Sequence, residues 1–124
     1  MIRRARRFGN GSRLRSATRR RGDVVWLHFN PQTGHEQARR RPAVVLSPES
    51  YNQKTSLALL CPVTSQVKGY PFETALPTSS SLRGVALCDQ TKSLDWKARD
   101  AEFICKLPEE LLDEVMGKAL TLLK

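Results

Sequence analysis

The sequence predicts a small, mainly β domain of the α+β class, a β-barrel with one C-terminal helix packed against it. Three observations support this prediction. Short apolar runs of strand length recur along the chain, turn-forming residues separate them, and only the stretch after Pro108 has clear helical spacing. A chain of 124 residues is long enough for one hydrophobic core and too short for two.

The strands are predicted from runs rich in β-branched, aromatic and other apolar residues. The first run is bounded by Arg21-Gly22-Asp23 and by Asn30-Pro31, which are typical turn residues. Residues 93–100 have mixed polarity and predict a short helical turn. The predicted strands are residues 24–29, 43–46, 56–63, 72–76, 84–87 and 101–107.

The C-terminal helix is predicted to begin at Pro108, because proline is favoured in the first helical turn. Glu109 and Glu110 complement the helix dipole there, and Lys118 lies toward the other end. Apolar residues at helical spacing predict a broad buried face: Leu111, Leu112, Val115, Met116, Ala119, Leu122 and Leu123.

The net charge of +9 is concentrated at the N-terminus. Residues 1–21 contain nine arginines and no acidic residue, so the rest of the chain is neutral overall. We interpret residues 1–20 as a disordered, arginine-rich leader and residues 21–124 as the folded domain. The leader is either dispensable, a transit-like segment, or a basic arm that binds nucleic acid.

The cysteines and the hydropathy pattern point to a cytoplasmic protein. Cys61, Cys88 and Cys105 lie in apolar runs without metal-ligand spacing, which predicts reduced, buried thiols. No apolar run reaches the roughly 18 residues of a membrane-spanning helix, and no secretory signal is recognisable.

Three polar clusters interrupt the apolar runs, at residues 34–42, 64–66 and 89–90. Each falls at a strand end, so a small barrel can bring them to one rim. Together they offer carboxylates, guanidiniums, hydroxyls and an imidazole, but no metal-ligand set. This inventory suits RNA cleavage without metal or cofactor, in which the 2′-OH of the substrate is the nucleophile.

The same residues also have plainer interpretations. Residues 39–41 can form a solvated loop that pairs with Glu36, and Thr64 and Ser65 are common turn formers. Asp89 can be a satisfied carboxylate at a strand end. Both tryptophans are predicted to be core residues rather than base-stacking platforms: Trp26 and Trp96.

Six ordered motifs resemble the MazF/PemK (Kid) family of toxin endoribonucleases, or mRNA interferases, and most closely its MazF branch. The resemblance extends from about residue 21 to the C-terminus. The motifs are Arg21-Gly22-Asp23, Asn30-Pro31-x-x-Gly34-x-Glu36-Gln37, Arg41-Pro42-Ala43-Val44-Val45-Leu46-Ser47, Cys61-Pro62-Val63-Thr64-Ser65, Lys68-Gly69-Tyr70-Pro71-Phe72-Glu73 and Gly84-Val85-Ala86-Leu87-x-Asp89-Gln90-x-Lys92-Ser93.

The resemblance implies an SH3-like or CcdB-like small β-barrel that forms a homodimer and acts as the toxin of a type II toxin–antitoxin system. It implies sequence-specific cleavage of single-stranded mRNA, leaving a 2′,3′-cyclic phosphate and a 5′-OH, with no metal and no cofactor. It also implies a cognate antitoxin, similar to MazE or PemI, whose acidic tail covers the RNA groove. An ACA-like triplet is the implied target motif.

The resemblance assigns roles to individual residues. Arg41 is the expected transition-state stabiliser, Thr64 the hydroxyl that holds the scissile phosphate, and Glu36 a base or an organiser of the arginine. His35 and Asp89 match catalytic positions of the Kid/PemK branch, although that branch has an arginine where this chain has a leucine, two residues before Asp89. The expected RNA-binding residues are Gln37, Arg39, Arg40, Lys54, Ser65, Gln66, Lys68, Tyr70 and Gln90.

Two functions of other classes stay open on the sequence. One is a non-enzymatic toxin that poisons DNA gyrase as CcdB does, and the other is a plain nucleic-acid-binding barrel that depends on the arginine leader. Arg41, Thr64 and Glu36 argue against the first, because protein binding does not require them. Deleting residues 1–20 would separate the second from a nuclease.

Overall fold

Seven short strands form an antiparallel sheet in the computed structural model, which describes residues 18–29, 40–77 and 82–123. Helix α1 (Glu49–Thr55) lies between the second and third strands, and helix α2 (Glu109–Thr121) follows the last strand. A short 3₁₀ turn, η1 (Cys88–Gln90), lies between the fifth and sixth. The strands are β1 (Asp23–His28), β2 (Arg40–Val45), β3 (Leu57–Thr64), β4 (Glu73–Ala75), β5 (Val85–Leu87), β6 (Lys92–Asp95) and β7 (Glu102–Lys106).

The strand order is β4-β5-β3-β2-β1-β7, and β6 also pairs with β3. Strand β3 pairs with β2 on one side; on its other side it pairs with β6 near its start and with β5 at its end. Strands β5 and β6 therefore lie one after the other along the same side of β3, both antiparallel to it, and η1 separates them. The end of β3 lies beside the beginnings of β2 and β5.

Both faces of the central strands are buried, which explains why their sequences are continuous apolar runs rather than alternating ones. Neighbouring residues of β1 illustrate this, since Val24 belongs to one core cluster and Val25 to the other. Helix α2 packs on the Val24 side through Val115, and Trp96 packs on the other side. The mainly β fold with a C-terminal helix that the sequence predicts is confirmed.

Helix α1 is held by hydrogen bonds of one buried side chain, Asn52, which is 0% exposed. Its Nδ2 donates to the carbonyl oxygens of Arg19 (2.8 Å) and Ser47 (3.1 Å), and its Oδ1 accepts from Ser47 Oγ at 2.5 Å. Its main-chain carbonyl accepts from Trp96 Nε1 at 3.1 Å. Asn52 thus joins α1 to the chain before β1 and to the turn after β6.

Helix α2 follows Pro108 as predicted, with Pro108 as the capping residue just before the first helical turn. Lys118 Nζ donates to the carbonyl oxygen of Glu73 at 2.6 Å and to Glu114 at 2.9 Å, which fastens the helix to β4. The predicted apolar face is confirmed up to Ala119. It is wrong for Leu122 and Leu123, which lie beyond the helix end and are 51% and 80% exposed.

Two local predictions need correction. The helical turn predicted over residues 93–100 is wrong in its first half, because Lys92–Asp95 is a strand that pairs with the start of β3. Only the residues from Trp96 onward form a turn. Helix α1 was not predicted, since its sequence lacks an apolar stripe. In the described parts of the chain, neither helix is long and apolar enough to span a membrane.

Candidate active site

The register of the sheet brings Arg41 next to Thr64. Strands β2 and β3 pair Ala43 with Pro62 and Val44 with Cys61. Extending this antiparallel register by two residues places Arg41, at the start of β2, across from Thr64, at the end of β3. A guanidinium and a hydroxyl that are far apart in sequence therefore lie at one end of the sheet.

A cleft of about 420 Å³ opens at this end of the sheet. It has an aromatic and aliphatic part and a polar part with two guanidiniums, two hydroxyls and an amide. Such a combination of cations with an aromatic surface is typical of grooves that bind single-stranded nucleic acid. The lining residues are Trp26, Arg41, Pro42, Val63, Thr64, Ser65, Gln66, Leu82 and Arg83.

The hydroxyl of Thr64 is oriented by the turn that follows it. Its Oγ1 accepts a hydrogen bond from the main-chain N–H of Gln66 at 3.1 Å. The hydroxyl hydrogen is not used in that bond, because a hydroxyl is one donor as well as an acceptor. Thr64 can therefore donate to a phosphate oxygen in the cleft while the turn holds its acceptor side.

The side chain of Arg41 is available to a ligand. Arg41 is exposed, and its side chain makes no hydrogen bond or ion pair with the residues that the structure describes. A guanidinium presents a planar fork of N–H donors that fits two oxygens of one phosphate. This position suits a group that neutralises charge on a phosphorane.

Arg40 is used differently from its neighbour. Its guanidinium pairs with Glu102 of β7, on the far side of β1. It does not line the cleft, although the sequence predicts Arg40 as an RNA-binding residue.

Lys54 lies far from the other predicted residues. It is exposed in the last turn of α1, just before β3 begins, whereas Thr64 ends that strand. At the usual rise per residue, the eight residues of β3 span roughly 25 Å. The structure does not bring Lys54 to the cleft.

The loop after Gln66 extends the cleft edge without lining it. The carboxylate of Glu73 accepts hydrogen bonds from the main-chain N–H groups of Lys68 (3.2 Å) and Gly69 (2.9 Å) and so closes the loop. Tyr70, at its tip, is 59% exposed. Lys68 and Tyr70 thus lie in a closed loop that begins just after Gln66, a residue of the cleft.

Asp89 and Gln90 lie on η1 and do not line the cleft. On the core side of η1, the thiol of Cys88 lies in the same buried cluster as that of Cys61 from β3. The hydrogen bond from Cys61 lowers the pKa of Cys88 from its usual 9.0 to about 7. The pKa of Cys61 is raised, first by that hydrogen bond and then by its burial. Both side chains are buried, as the sequence predicts, whereas the third cysteine, Cys105, is only partly buried.

Four predicted site residues lie outside the described residues, all in the loop between β1 and β2: His35, Glu36, Gln37 and Arg39. Among the described residues that line the cleft, none has a carboxylate or an imidazole. Within residues 18–29, 40–77 and 82–123, no three His, Cys, Asp or Glu side chains group closely enough to hold a metal ion.

The cleft also contains two polar or aromatic residues that sequence reasoning did not include, Trp26 and Arg83. Trp26 was predicted to be core; it is partly buried and faces the cleft, whereas Trp96 is buried as predicted. Trp26 pairs with Pro42 across the β1–β2 hairpin, next to Arg41. Only this strand pairing places Trp26 at the cleft, and no local sequence pattern indicates Trp26 or Arg83.

Fold and site together define a small antiparallel β protein with a C-terminal helix and a cationic cleft at one end of its sheet. Residues 20–123 match the family of the PemK-like, MazF-like toxin of type II toxin-antitoxin system. The chain belongs to this family of toxins. The resemblance of the sequence motifs to the MazF/PemK family is thereby confirmed.

Individual relatives agree with this assignment. The chain is 55% identical to the endoribonuclease toxin MazF of Escherichia coli K12 over 80 residues, 64% of this chain and 71% of that protein. It is 34% identical to the endoribonuclease PemK of Escherichia coli, covering 92% of each chain. A MazE–MazF crystal structure from Deinococcus radiodurans superposes with a TM-score of 0.76 at 46% identity, covering 86% of this chain and 95% of the other.

Proposed function

We propose that this endoribonuclease toxin cleaves single-stranded RNA in the cleft between β2, β3 and β5, by attack of the RNA 2′-OH and without a metal ion. The observation that supports this most strongly is the placement of Arg41 across from Thr64. The two residues provide a phosphate-binding fork and a hydroxyl donor at one point of the cleft. Both groups belong to the protein, and the nucleophile belongs to the substrate.

The reaction needs a base and an acid beside these two groups. The 2′-oxygen attacks the adjacent phosphorus as the base takes its proton, and the P–O5′ bond breaks as the acid protonates O5′. The products are a 2′,3′-cyclic phosphate and a 5′-OH. Arg41 stabilises the charge that develops on the phosphorane oxygens, and Thr64 donates to one of them.

We assign proton transfer to the loop between β1 and β2. Asp89 does not line the cleft, which disfavours it as the base. The segment ends just before Arg40, the first residue of β2, and contains His35 and Glu36, an imidazole and a carboxylate. Arg39 and Gln37 of the same loop are proposed to contact the RNA backbone and bases.

Substrate contacts outside the cleft follow from the positions of the remaining predicted residues. Lys68 binds a phosphate and Tyr70 stacks a base at the loop edge, whereas Ser65 and Gln66 bind inside the cleft. Arg40 and Gln90 contact RNA beyond it.

The proposed partners are a second copy of this chain and a cognate antitoxin. An antitoxin is supported by the MazE–MazF complex of the Deinococcus relative. A homodimer is supported by β7, which ends the described sheet and exposes Phe103 on an edge strand. An acidic antitoxin segment lying over Arg41 would compete directly with RNA.

The proposed function is tested with purified protein and a long single-stranded RNA in the presence of EDTA. The wild type is expected to cut the RNA at a limited set of sites. Arg41→Ala is expected to cut at least about a hundredfold more slowly, as when one oxyanion-stabilising donor is removed. The fold should survive, because Arg41 is exposed and its side chain makes no hydrogen bond or ion pair with the described residues. Intact RNA with the wild type, or full activity of Arg41→Ala, would refute the proposal.

A further inference from the structure

The arginines that the structure describes fall into two groups. One group has partners in the folded chain, namely Arg19, Arg20, Arg21, Arg40 and Arg99. The other group consists of Arg41 and Arg83, whose side chains make no hydrogen bond or ion pair with the described residues. These two are also the arginines that line the cleft.

The partners of the first group show what those guanidiniums do. Arg21 Nε donates to the carbonyl oxygen of Leu46 at 2.7 Å, and Arg99 donates to that of His28 at 3.2 Å. Such side chains hold the main chain in place. The guanidiniums of Arg41 and Arg83 have no such role in the described structure, and an arginine fork in a polar cleft suits a phosphate.

The position of Arg83 is fixed by Gly84. Gly84 has a φ of +117°, and a Cβ atom there would lie 2.0 Å from the carbonyl oxygen of Thr64. Only glycine permits this close approach. The segment before β5 is therefore pressed against the end of β3, where Thr64 pairs with Val85. This contact places Arg83 beside Thr64 on the side away from Arg41.

We propose that Arg83 is a second phosphate-binding residue, which holds the RNA phosphate next to the scissile one. This inference rests on the proposed function of the cleft. Strand β3 lies between the strand that begins with Arg40-Arg41 and the one that follows Arg83, so two strand spacings, about 10 Å, separate their main chains. The two guanidiniums approach the RNA from opposite sides of Thr64. Arg41 binds the reacting phosphate, and Arg83 determines which nucleotide of the RNA lies at the reacting position.

Binding is measured with a single-stranded RNA in which every ribose is 2′-O-methylated, so that no nucleophile remains. Arg83→Ala is expected to weaken binding about tenfold near 0.1 M salt. The slope of log affinity against log salt is expected to decrease by about 0.7, the value for one phosphate contact on a single strand. Arg83→Lys keeps the charge and should recover most of the affinity.

Arg20→Ala is the matched control. It removes the same charge from an exposed arginine that pairs with Glu49 at 3.4 Å, beside α1 and away from the cleft. Its affinity and salt slope should stay close to those of the wild type. Equal losses in Arg20→Ala and Arg83→Ala would mean a general charge effect, and an unchanged Arg83→Ala would mean a solvated surface residue; either result overturns the proposal.

Cleavage kinetics separate this inference from the proposed function. Arg83→Ala should raise KM about tenfold and leave kcat within about twofold, because uniform binding is lost and transition-state stabilisation is kept. A fall of kcat as large as that of Arg41→Ala would contradict the proposed role. If the wild type does not cleave RNA at all, the proposed function fails, while the binding measurement still tests Arg83.

Discussion

At the scale of single residues, the hydroxyl of Thr64 illustrates how the chain prepares a donor for the substrate. Its acceptor side is occupied by the N–H of Gln66, so its hydrogen is directed away from the turn. A methyl group in place of the hydroxyl would remove both the turn bond and the donor while keeping the side-chain volume. The hydroxyl therefore has a structural role in the turn and a proposed chemical role in the cleft, and folding must be measured alongside activity.

Thr64→Val is expected to lower the cleavage rate at least about tenfold, because one hydrogen bond to the developing phosphorane charge is lost. Thr64→Ser retains the hydroxyl and should keep most of the activity. Single-turnover cleavage of RNA by both variants, with thermal melts as the folding control, provides the measurement. Similar activity in Thr64→Val and the wild type would remove Thr64 from the mechanism.

Arg41 and Thr64 could be proposed from the sequence, whereas Trp26 and Arg83 could not. The first two belong to motifs at strand ends, where polar residues interrupt apolar runs. Trp26 lies inside an apolar run, and its partial exposure depends on the strand paired beside it. Arg83 reaches the cleft only because Gly84 contacts the main chain of Thr64, a tertiary contact that no local pattern reports.

At the scale of elements, α1 depends on Asn52 rather than on an apolar face. Asn52→Ala would leave the carbonyl oxygens of Arg19 and Ser47 without their donor in a buried site. We expect the free energy of unfolding to decrease by about 2–3 kcal/mol. Gln53→Ala, an exposed change one residue along the same helix, is the control and should have an effect within about 0.5 kcal/mol. Equal stabilities of the two variants in urea would contradict this account of α1.

The same contacts explain why sequence patterns missed this helix. A periodic apolar stripe is the main sequence signal for a helix, and α1 replaces it with hydrogen bonds to distant residues. Strand β6 was misread for a related reason. Its four residues are too few to show a period, and they are held as a strand by pairing with β3. By contrast, α2 was predicted because the helical spacing of its apolar residues indicates the buried face.

The thiol pair beside η1 predicts a pH dependence of stability. The pKa of Cys88 is about 7 in the folded chain, below its usual 9.0. Between these values the unfolded chain holds the proton that the folded chain has lost, so the stability should rise with pH. Above pH 9 the raised pKa of Cys61 acts in the opposite direction.

The measurement is the unfolding free energy of the wild type and of Cys88→Ser in urea with a reductant, from pH 6 to 9. The advantage of the wild type over Cys88→Ser should grow as the pH rises from about 7 to 9. A constant difference over this range would show that Cys88 does not titrate in the folded chain as described.

At the scale of the whole molecule, the sheet explains how a neutral body can bind a polyanion. In residues 22–124 acidic and basic residues balance, and several of the described cations are paired within the fold. The two arginines whose side chains have no partner among the described residues, Arg41 and Arg83, lie together at one end, where β2, β3 and β5 meet. RNA binding by this domain is thus expected to occur at the cleft, with particular phosphates facing particular arginines, rather than over a general basic surface.

The fold could be predicted from the sequence more completely than the site. Continuous apolar runs indicated the central strands, because both faces of the sheet are buried. The cleft depends instead on registers between strands distant in sequence. Those registers decide that Thr64, Ser65 and Gln66 meet Arg41, and that Lys54 and Asp89 do not.

The central claim is that the substrate's own 2′-OH is the nucleophile, with Arg41 and Thr64 supporting the phosphorane. The most direct test uses an RNA whose cleavage sites have been mapped by sequencing the new 5′ ends. One nucleotide, the one whose 2′-OH would attack at a chosen site, is replaced by its 2′-deoxy form, and the reaction is run in EDTA. Cleavage should disappear at that bond and continue at the unmodified sites, which should yield 2′,3′-cyclic phosphate ends. Continued cleavage at the deoxy-substituted bond would contradict the mechanism.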